Sequence, residues 1–303
     1  MTILLTGASG FLGKILQKTL SGTHHLITIG RDTRNDIICD LSKNIPSIDQ
    51  DVDVLIHAAG KAHIYPKTEA EKESFFDVNV TGTTHLLAAM DHKNIKKCVF
   101  ISSVSVYGLE KGDEIDEATP LLGNTPYAKS KIQAEILIKT WCTQKGVPYL
   151  ILRLPLVVGP DPLGNLAKMI KAIQKGTYVR IARGNAKKSM VLASDVGTLI
   201  MNWIKNPINT SGIYNLTDGF HPTFYELEES LKVRLGKTWI PTIPSFVATI
   251  LGKIGDRLSF FPVNTGTIHK ITHTFTFSDE KARKELGWTS EKVLDYYLNN
   301  KVE

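Results

Sequence analysis

Cysteine is scarce: the 303 residues hold three, Cys39, Cys98 and Cys142, odd in number, far apart and without metal-ligand pairs. Neither a disulfide framework nor a metal module fits that pattern, and the expectation is reduced thiols in a cytosolic protein. A leader is lacking too. Met1 runs at once into Thr-Ile-Leu-Leu-Thr-Gly, with no basic segment, apolar core or cleavage site before the first structural element, so no secretion signal is expected. Apolar runs are short, and the richest, Ile240 to Leu258, cannot span a bilayer. There is no internal repeat, no low-complexity linker and no run of basic residues. Lysine and arginine number 36 against 30 acidic residues, a net charge of +6. Without a recognition motif that excess favours a small anionic substrate over nucleic acid.

Hydrophobic residues make up 42% of the chain, enough for one large or two modest domains with a proper core. The amino-terminal half alternates apolar runs with helical patterns, as a parallel sheet covered on both faces does. Strands are expected at Ile3 to Leu5, Leu26 to Ile29, Val52 to His57, Cys98 to Ser102 and Tyr149 to Leu154. Helices are expected at Phe11 to Leu20, Val78 to Met90 and Tyr127 to Trp141. The fold class is therefore α/β, a doubly wound parallel sheet. Beyond Gly159-Pro160 the alternation degrades into mixed segments with Pro207, Pro222, Pro241 and Pro244, which points to a smaller C-terminal, substrate-facing lobe. On this reading residues 1–160 bind a dinucleotide, with returning elements near 189–216, while 161–188 and 217–303 form the lobe. Residues Ile240 to Leu258 read as an amphipathic helix carrying Phe246, Val247, Ile250, Leu251 and Ile254. Its apolar side is expected in the core of the lobe, with membrane contact as the alternative.

Gly7, Gly10 and Gly13 stand in Thr-Gly-Ala-Ser-Gly-Phe-Leu-Gly, directly after a strand and opening a helix. Glycine there permits unusual backbone angles and lets a pyrophosphate approach the helix N-terminus, whose amides and dipole attract it. Tyr127 and Lys131 are four residues apart, so on a helix they share a face. A free phenol has a pKa of about 10, and a neighbouring ammonium favours its ionised form, drawing it towards useful acid/base range. The pair is expected to serve a hydride-transfer site.

The Gly-x-x-Gly-x-x-Gly spacing departs from that of ordinary Rossmann dehydrogenases and resembles the extended, sugar-nucleotide-modifying branch of the short-chain dehydrogenase/reductase superfamily. The likeness runs through nearly the whole chain. It includes Asp40-Leu41, His57-Ala-Ala-Gly60, Asn79-Val-Thr-Gly-Thr83, Ile101-Ser-Ser-Val-Ser-Val-Tyr-Gly108, Ser194-Asp195 and Ser278 to Trp288. The resemblance implies that Gly7, Ser9, Gly10, Phe11, Leu12 and Gly13 surround the pyrophosphate, and that Asp40 and Leu41 hold the adenine. It places Ala58, Ala59, Gly60, Asn79 and Pro155 on the nicotinamide side. Matching on Val106-Tyr107-Gly108 puts the catalytic hydroxyl at Ser103, with Ser102 as the near alternative. Ser103 then bonds the substrate oxygen, Tyr127 passes it a proton, and Lys131 holds the nicotinamide ribose.

Dehydratases of this branch carry an acidic pair immediately after that hydroxyl; here Val104 and Ser105 stand there, so dehydration is rejected. The second strand ends in Gly30-Arg31-Asp32, and an arginine suits a 2′-phosphate, which makes NADPH the expected cofactor and NAD(H) the alternative. The segment Arg153-Leu-Pro-Leu-Val-Val-Gly-Pro160, with Lys61, His63 and Asn165, is similar to bacterial reductases of UDP-linked 4-keto-6-deoxy-N-acetylhexosamines used for surface polysaccharides. Asn165 and Lys188, or its neighbour Lys187, are then expected near the diphosphate, and His63 near the sugar. The alternatives are a UDP-hexose 4-epimerase with tightly held NAD and a non-catalytic dinucleotide sensor. A homodimer through the helices Val78 to Met90 and Tyr127 to Trp141 fits the resemblance, but the core requires their apolar faces in any case.

Overall fold

The computed structural model describes residues 1–62, 66–162, 164–257 and 265–299, the side chain of Thr267 apart. Seven strands make the central sheet: β1 (Thr2–Thr6), β2 (His25–Gly30), β3 (Ile37–Ile38), β4 (Val54–His57), β5 (Lys97–Ser103), β6 (Tyr149–Leu154) and β7 (Gly212–Asn215). All pair in parallel, in the order β7-β6-β5-β4-β1-β2-β3. The order reverses between β1 and β4, and the carboxyl ends of these two strands open the crevice where doubly wound sheets bind ligands.

Alternation along each strand decides which face it feeds. Ile3 and Leu5 join Val54, Ile56 and Val99 under α1 (Phe11–Leu20) and a later helix, Ala193–Lys205. Leu4 points the other way, joining Leu55, Cys98 and Phe100 under α2's successor α3 (Gly82–Met90) and α4 (Pro126–Lys145), where α2 is Glu69–Phe76. Both faces are thus covered, which is why these strands read as continuous apolar runs. A π-helical turn, Asp77–Thr81, leads into α3, and a 3-10 turn, Val104–Tyr107, follows β5.

The remaining helices are α5 (Gly164–Lys175), α6 (Ala193–Lys205), α7 (Phe224–Arg234), α8 (Ser245–Arg257), α9 (Thr265–Thr272), α10 (Glu280–Leu286) and α11 (Val293–Asn299). Leu166 and Ile173 of α5, Leu227 and Leu231 of α7, and Val293 and Tyr297 of α11 close a separate core cluster with Val158 and Met190. The helix expected from Ile240 starts only at Ser245. Thr242–Ile243 instead forms a short strand beside Arg180–Ile181, between two prolines that cannot continue a helix. Its expected packing is also corrected: Phe246, Ile250 and Ile254 are 67%, 55% and 40% exposed, while Ala248, Gly252 and Gly255 face inward.

Candidate active site

The turn expected to bind the pyrophosphate is shaped by two contacts that leave no room for side chains. Gly7 has φ +76°, and a Cβ there would lie 2.6 Å from the Ala59 nitrogen; one on Gly13 would lie 1.9 Å from the Gly7 carbonyl oxygen. The loops after β1 and β4 therefore touch at the point where the strand order reverses. Gly10 caps α1 without a side-chain bond, so the first-turn amides near Phe11 and Leu12 face a cradle suited to an anion. Ser9 is exposed on the turn, and the residues present fit a dinucleotide pyrophosphate.

A buried chain of bonds fixes the loop after β4, where the resemblance expects the nicotinamide. The Ala59 amide donates to Thr6 Oγ1 (3.1 Å), which lies 2.7 Å from His57 Nδ1, while His57 Nε2 lies 2.9 Å from Thr83 Oγ1. The Thr83 hydroxyl is itself spent on the Asn79 carbonyl (2.6 Å), so Nε2 must donate and Nδ1 must accept. Burial, helped by the charge of Lys131, pulls the His57 pKa down to about 3, and the ring is a neutral strut. Asn79 accepts from the Lys61 amide (2.7 Å) and donates to the Lys61 carbonyl (3.1 Å) and Ser130 Oγ (2.8 Å). That clamp ties the Ala58-Ala59-Gly60 loop to α4. A Cβ on Gly60 would lie 3.2 Å from both Asn79 Oδ1 and Lys131 Nζ, so this position too is a glycine-shaped recess.

Thr125 caps α4, accepting from the Ala128 amide (3.1 Å), and Pro126 occupies the first turn. The helix then carries Tyr127 and Lys131 on one face against the end of β5. The Lys131 ammonium donates to the Ile101 carbonyl (2.8 Å) and lies 4.6 Å from the centre of the Phe100 ring. Burial lowers its pKa to about 8, with Glu135 opposing. For Tyr127 the expected direction is corrected: burial raises the phenol above its ordinary value, and the bond from Ser103 only partly offsets this. One of the three Lys131 ammonium donors goes to the Ile101 carbonyl, and burial keeps the phenol protonated at neutral pH. The Phe75 ring, 6.2 Å between centroids, closes one side of Tyr127.

The two serines separate cleanly. Ser102 Oγ donates to Glu135 (2.5 Å), inside a buried network in which Arg153 pairs with Glu135 (2.7 Å) and donates to the Tyr107 hydroxyl (3.1 Å). Tyr107 in turn donates to Asn215 (2.8 Å). Ser103 Oγ, by contrast, accepts from the Ser105 amide (3.2 Å) and lies beside Tyr127, which leaves it as the candidate site hydroxyl.

Where the resemblance expects the adenosine, Arg31 is exposed on the rim of a pocket lined by Ile37, Ile38, Cys39, Asp40 and Ile45. Arg34 grips both oxygens of Asp32 (2.8 and 2.6 Å), and these bonds hold its carboxyl well below the usual range. Asp40 is held by Ser42, whose amide and hydroxyl both donate to it (3.1 and 2.7 Å). Leu41 is buried core, and its carbonyl lies 2.7 Å from His85 Nδ1.

The candidate substrate residues are less convergent. The Lys61 ammonium bonds the Ser74 hydroxyl and lies 5.4 Å from the Phe75 ring centre, so it backs the wall beside Tyr127. His63 lies outside the described residues. Pro155 is half-buried between β6 and the short strand Leu156–Val158, and Asn165 is exposed in the first turn of α5. Lys188 donates to the His273 carbonyl (2.8 Å), and burial, with Lys270 nearby, lowers its pKa to about 8. Sequence reasoning missed Glu135, Thr6, Thr83 and Ser130. Glu135 had a signal, since it continues the four-residue step from Tyr127 and Lys131, and Thr83 stood in the quoted Asn79-Val-Thr-Gly-Thr83 segment without being given a role.

Residues 3–217 match the NAD dependent epimerase/dehydratase family. The chain is 27% identical, over 99% of its length and 94% of the relative's, to the N-acetyl-alpha-D-glucosaminyl-diphospho-ditrans,octacis-undecaprenol 4-epimerase of Escherichia coli O157:H7. It is 26% identical, over 97% of its length and 92% of the relative's, to the UDP-glucose 4-epimerase of Vibrio cholerae. Among solved structures it is similar to the UDP-glucuronic acid 4-epimerase from Bacillus cereus in complex with UDP-glucuronic acid and NAD. There the TM-score is 0.76 at 21% identity, with 99% of this chain and 98% of that one covered. With the glycine cradle, the α4 tyrosine and lysine, and a match over residues 3–217, the chain belongs to the NAD dependent epimerase/dehydratase family.

Proposed function

We propose that the chain is an NADPH-dependent reductase of the 4-keto group of a UDP-linked 6-deoxy amino sugar. The observation that carries this reading is the grouping of Ser103, Tyr127 and Lys131 at the end of β5, followed by Val104 and Ser105 in place of an acidic pair. When bound, the nucleotide supplies the hydride. Ser103 holds the carbonyl oxygen, and Tyr127, kept protonated by burial, gives that oxygen its proton as the carbonyl carbon is reduced. Ketone, hydride and proton together balance as one secondary alcohol. Lys131 presents a buried cation beside Gly60 and Asn79, the recess proposed for the nicotinamide ribose. Asp32 is committed to Arg34 while Arg31 lies exposed on the adenosine rim, which supports a 2′-phosphate and hence NADPH over NADH. Residues 161–188 and 217–303, with Asn165 and Lys188, are proposed as the side that selects the sugar diphosphate.

A second reading, 4-epimerisation with a retained NAD, is favoured by the two curated relatives, both named as 4-epimerases. Mass spectrometry of the nucleotide that co-purifies, with calorimetric titration of NADPH and NADH into the dialysed protein, separates the two. Exchangeable NADPH bound more tightly than NADH supports the reductase; stoichiometric, non-dialysable NAD supports the epimerase.

A further inference from the structure

Helix α8 is built inside out. Its buried side consists of Ala248, Gly252 and Gly255, small enough for close packing: a Cβ on Gly252 would lie 2.5 Å from Ile268 Cδ1 of α9. The large apolar residues Phe246, Ile250 and Ile254, spaced four apart, form one stripe, and they are exposed. Helical spacing puts Lys253 and Arg257 on the same side, both exposed as well. The one acidic residue of the helix, Asp256, is turned away: its carboxylate accepts from the Thr265 amide (3.1 Å) and hydroxyl (2.8 Å) at the start of α9. Trp239, in the segment leading to α8, is 74% exposed. Ala248, Ile181 and Ile268 join α8 to α9 and to the strand Arg180–Ile181, so the stripe sits on the outside of a packed unit.

We propose that this face of α8 docks on the interface of an anionic lipid bilayer. Large apolar side chains interleaved with Lys and Arg, and no carboxylate among them, match a surface of negative headgroups over an acyl boundary. A second copy of the chain is a poorer occupant, because face-to-face contact would bring Lys253 and Arg257 of each copy together. Docking holds the protein at the membrane surface without a spanning segment; among the described residues no helix is long and apolar enough to cross one. The proposal is independent of which reaction the site performs.

The test is flotation of the full-length protein with vesicles of phosphatidylcholine alone or mixed with phosphatidylglycerol, at low and high salt. Binding to the anionic vesicles should exceed binding to neutral ones by about tenfold or more at low salt, and salt should reduce it. Phe246→Ser with Ile250→Ser, and separately Lys253→Glu with Arg257→Glu, should each cut vesicle binding by about tenfold or more, with thermal melting and NADPH titration unchanged. Absence of vesicle binding, or binding that survives both double variants, overturns the proposal. So does a dimer in light scattering that Phe246→Ser with Ile250→Ser dissolves, since a second copy would then cover the face.

Discussion

Tyr127 and Lys131 are pushed in opposite directions by the same burial: the phenol holds its proton more firmly, and the ammonium comes down to about 8. Two pH effects follow, with opposite signs. Activity should fall as pH rises through about 8, because Lys131 loses the charge proposed to hold the ribose. Stability should change the other way. Between about 8 and the ordinary lysine value the unfolded chain binds more protons than the folded one, so the Lys131 contribution to stability rises with pH across that window. Turnover and denaturation midpoints measured side by side from pH 7 to 10 check both. Tyr127→Phe should lower kcat by about 10²–10⁴ while the Kd for NADPH stays the same, as read by single-turnover kinetics and titration. Gly13→Ala should abolish tight nucleotide binding and destabilise the fold by about 1–3 kcal/mol, since the new methyl meets a backbone carbonyl and not a flexible side chain.

Helix α4 carries the proposed chemistry because its one-turn repeat sets Tyr127, Lys131 and Glu135 in a row. Glu135 joins the site to the sheet: it receives Ser102, pairs with Arg153 and raises the Lys131 pKa against burial. Glu135→Gln should therefore move the alkaline limb of activity to lower pH, and should cost about 3–5 kcal/mol of stability by leaving Arg153 buried and unpaired. Chemical denaturation and a pH–rate profile read these separately; a stability loss with an unmoved limb would make Glu135 structural only. This helix was legible in the sequence because the four-residue spacing of Tyr127 and Lys131 is a local signal, while its Thr125 cap and its run to Lys145 were not read. Helix α8 was not. Its apolar period is real, but period alone does not say which side meets the core, and here Ala248, Gly252 and Gly255 took the inside because close approach to α9 requires small residues.

Across the molecule, the sheet was readable for a simple reason: strands buried on both faces must be apolar throughout, and Ile3 to Leu5 and Val54 to Ile56 are. The two-residue β3 and the short strand pairs around Arg180 and Phe275 carry no such run and depend on tertiary pairing. The same limit applies to Asn165 and Lys188, whose surroundings come from segments distant in sequence. The C-terminal part is fastened back on the sheet by Trp288, buried, whose indole donates to the Thr217 carbonyl (2.9 Å) and Asp279 (3.2 Å). Trp288→Ala should cost about 3–5 kcal/mol in a denaturant titration, as truncation of a large core side chain does. The central claim, net reduction at a sugar C4, is tested most directly by supplying a UDP-4-keto-6-deoxy amino sugar with NADPH deuterated at nicotinamide C4. Deuterium bonded to the sugar C4, with one NADPH consumed per alcohol formed, is the predicted result; a keto sugar left unreduced with no NADPH consumed, while a retained NAD interconverts the C4 epimers of the corresponding UDP-linked alcohol supplied in its place, would contradict it.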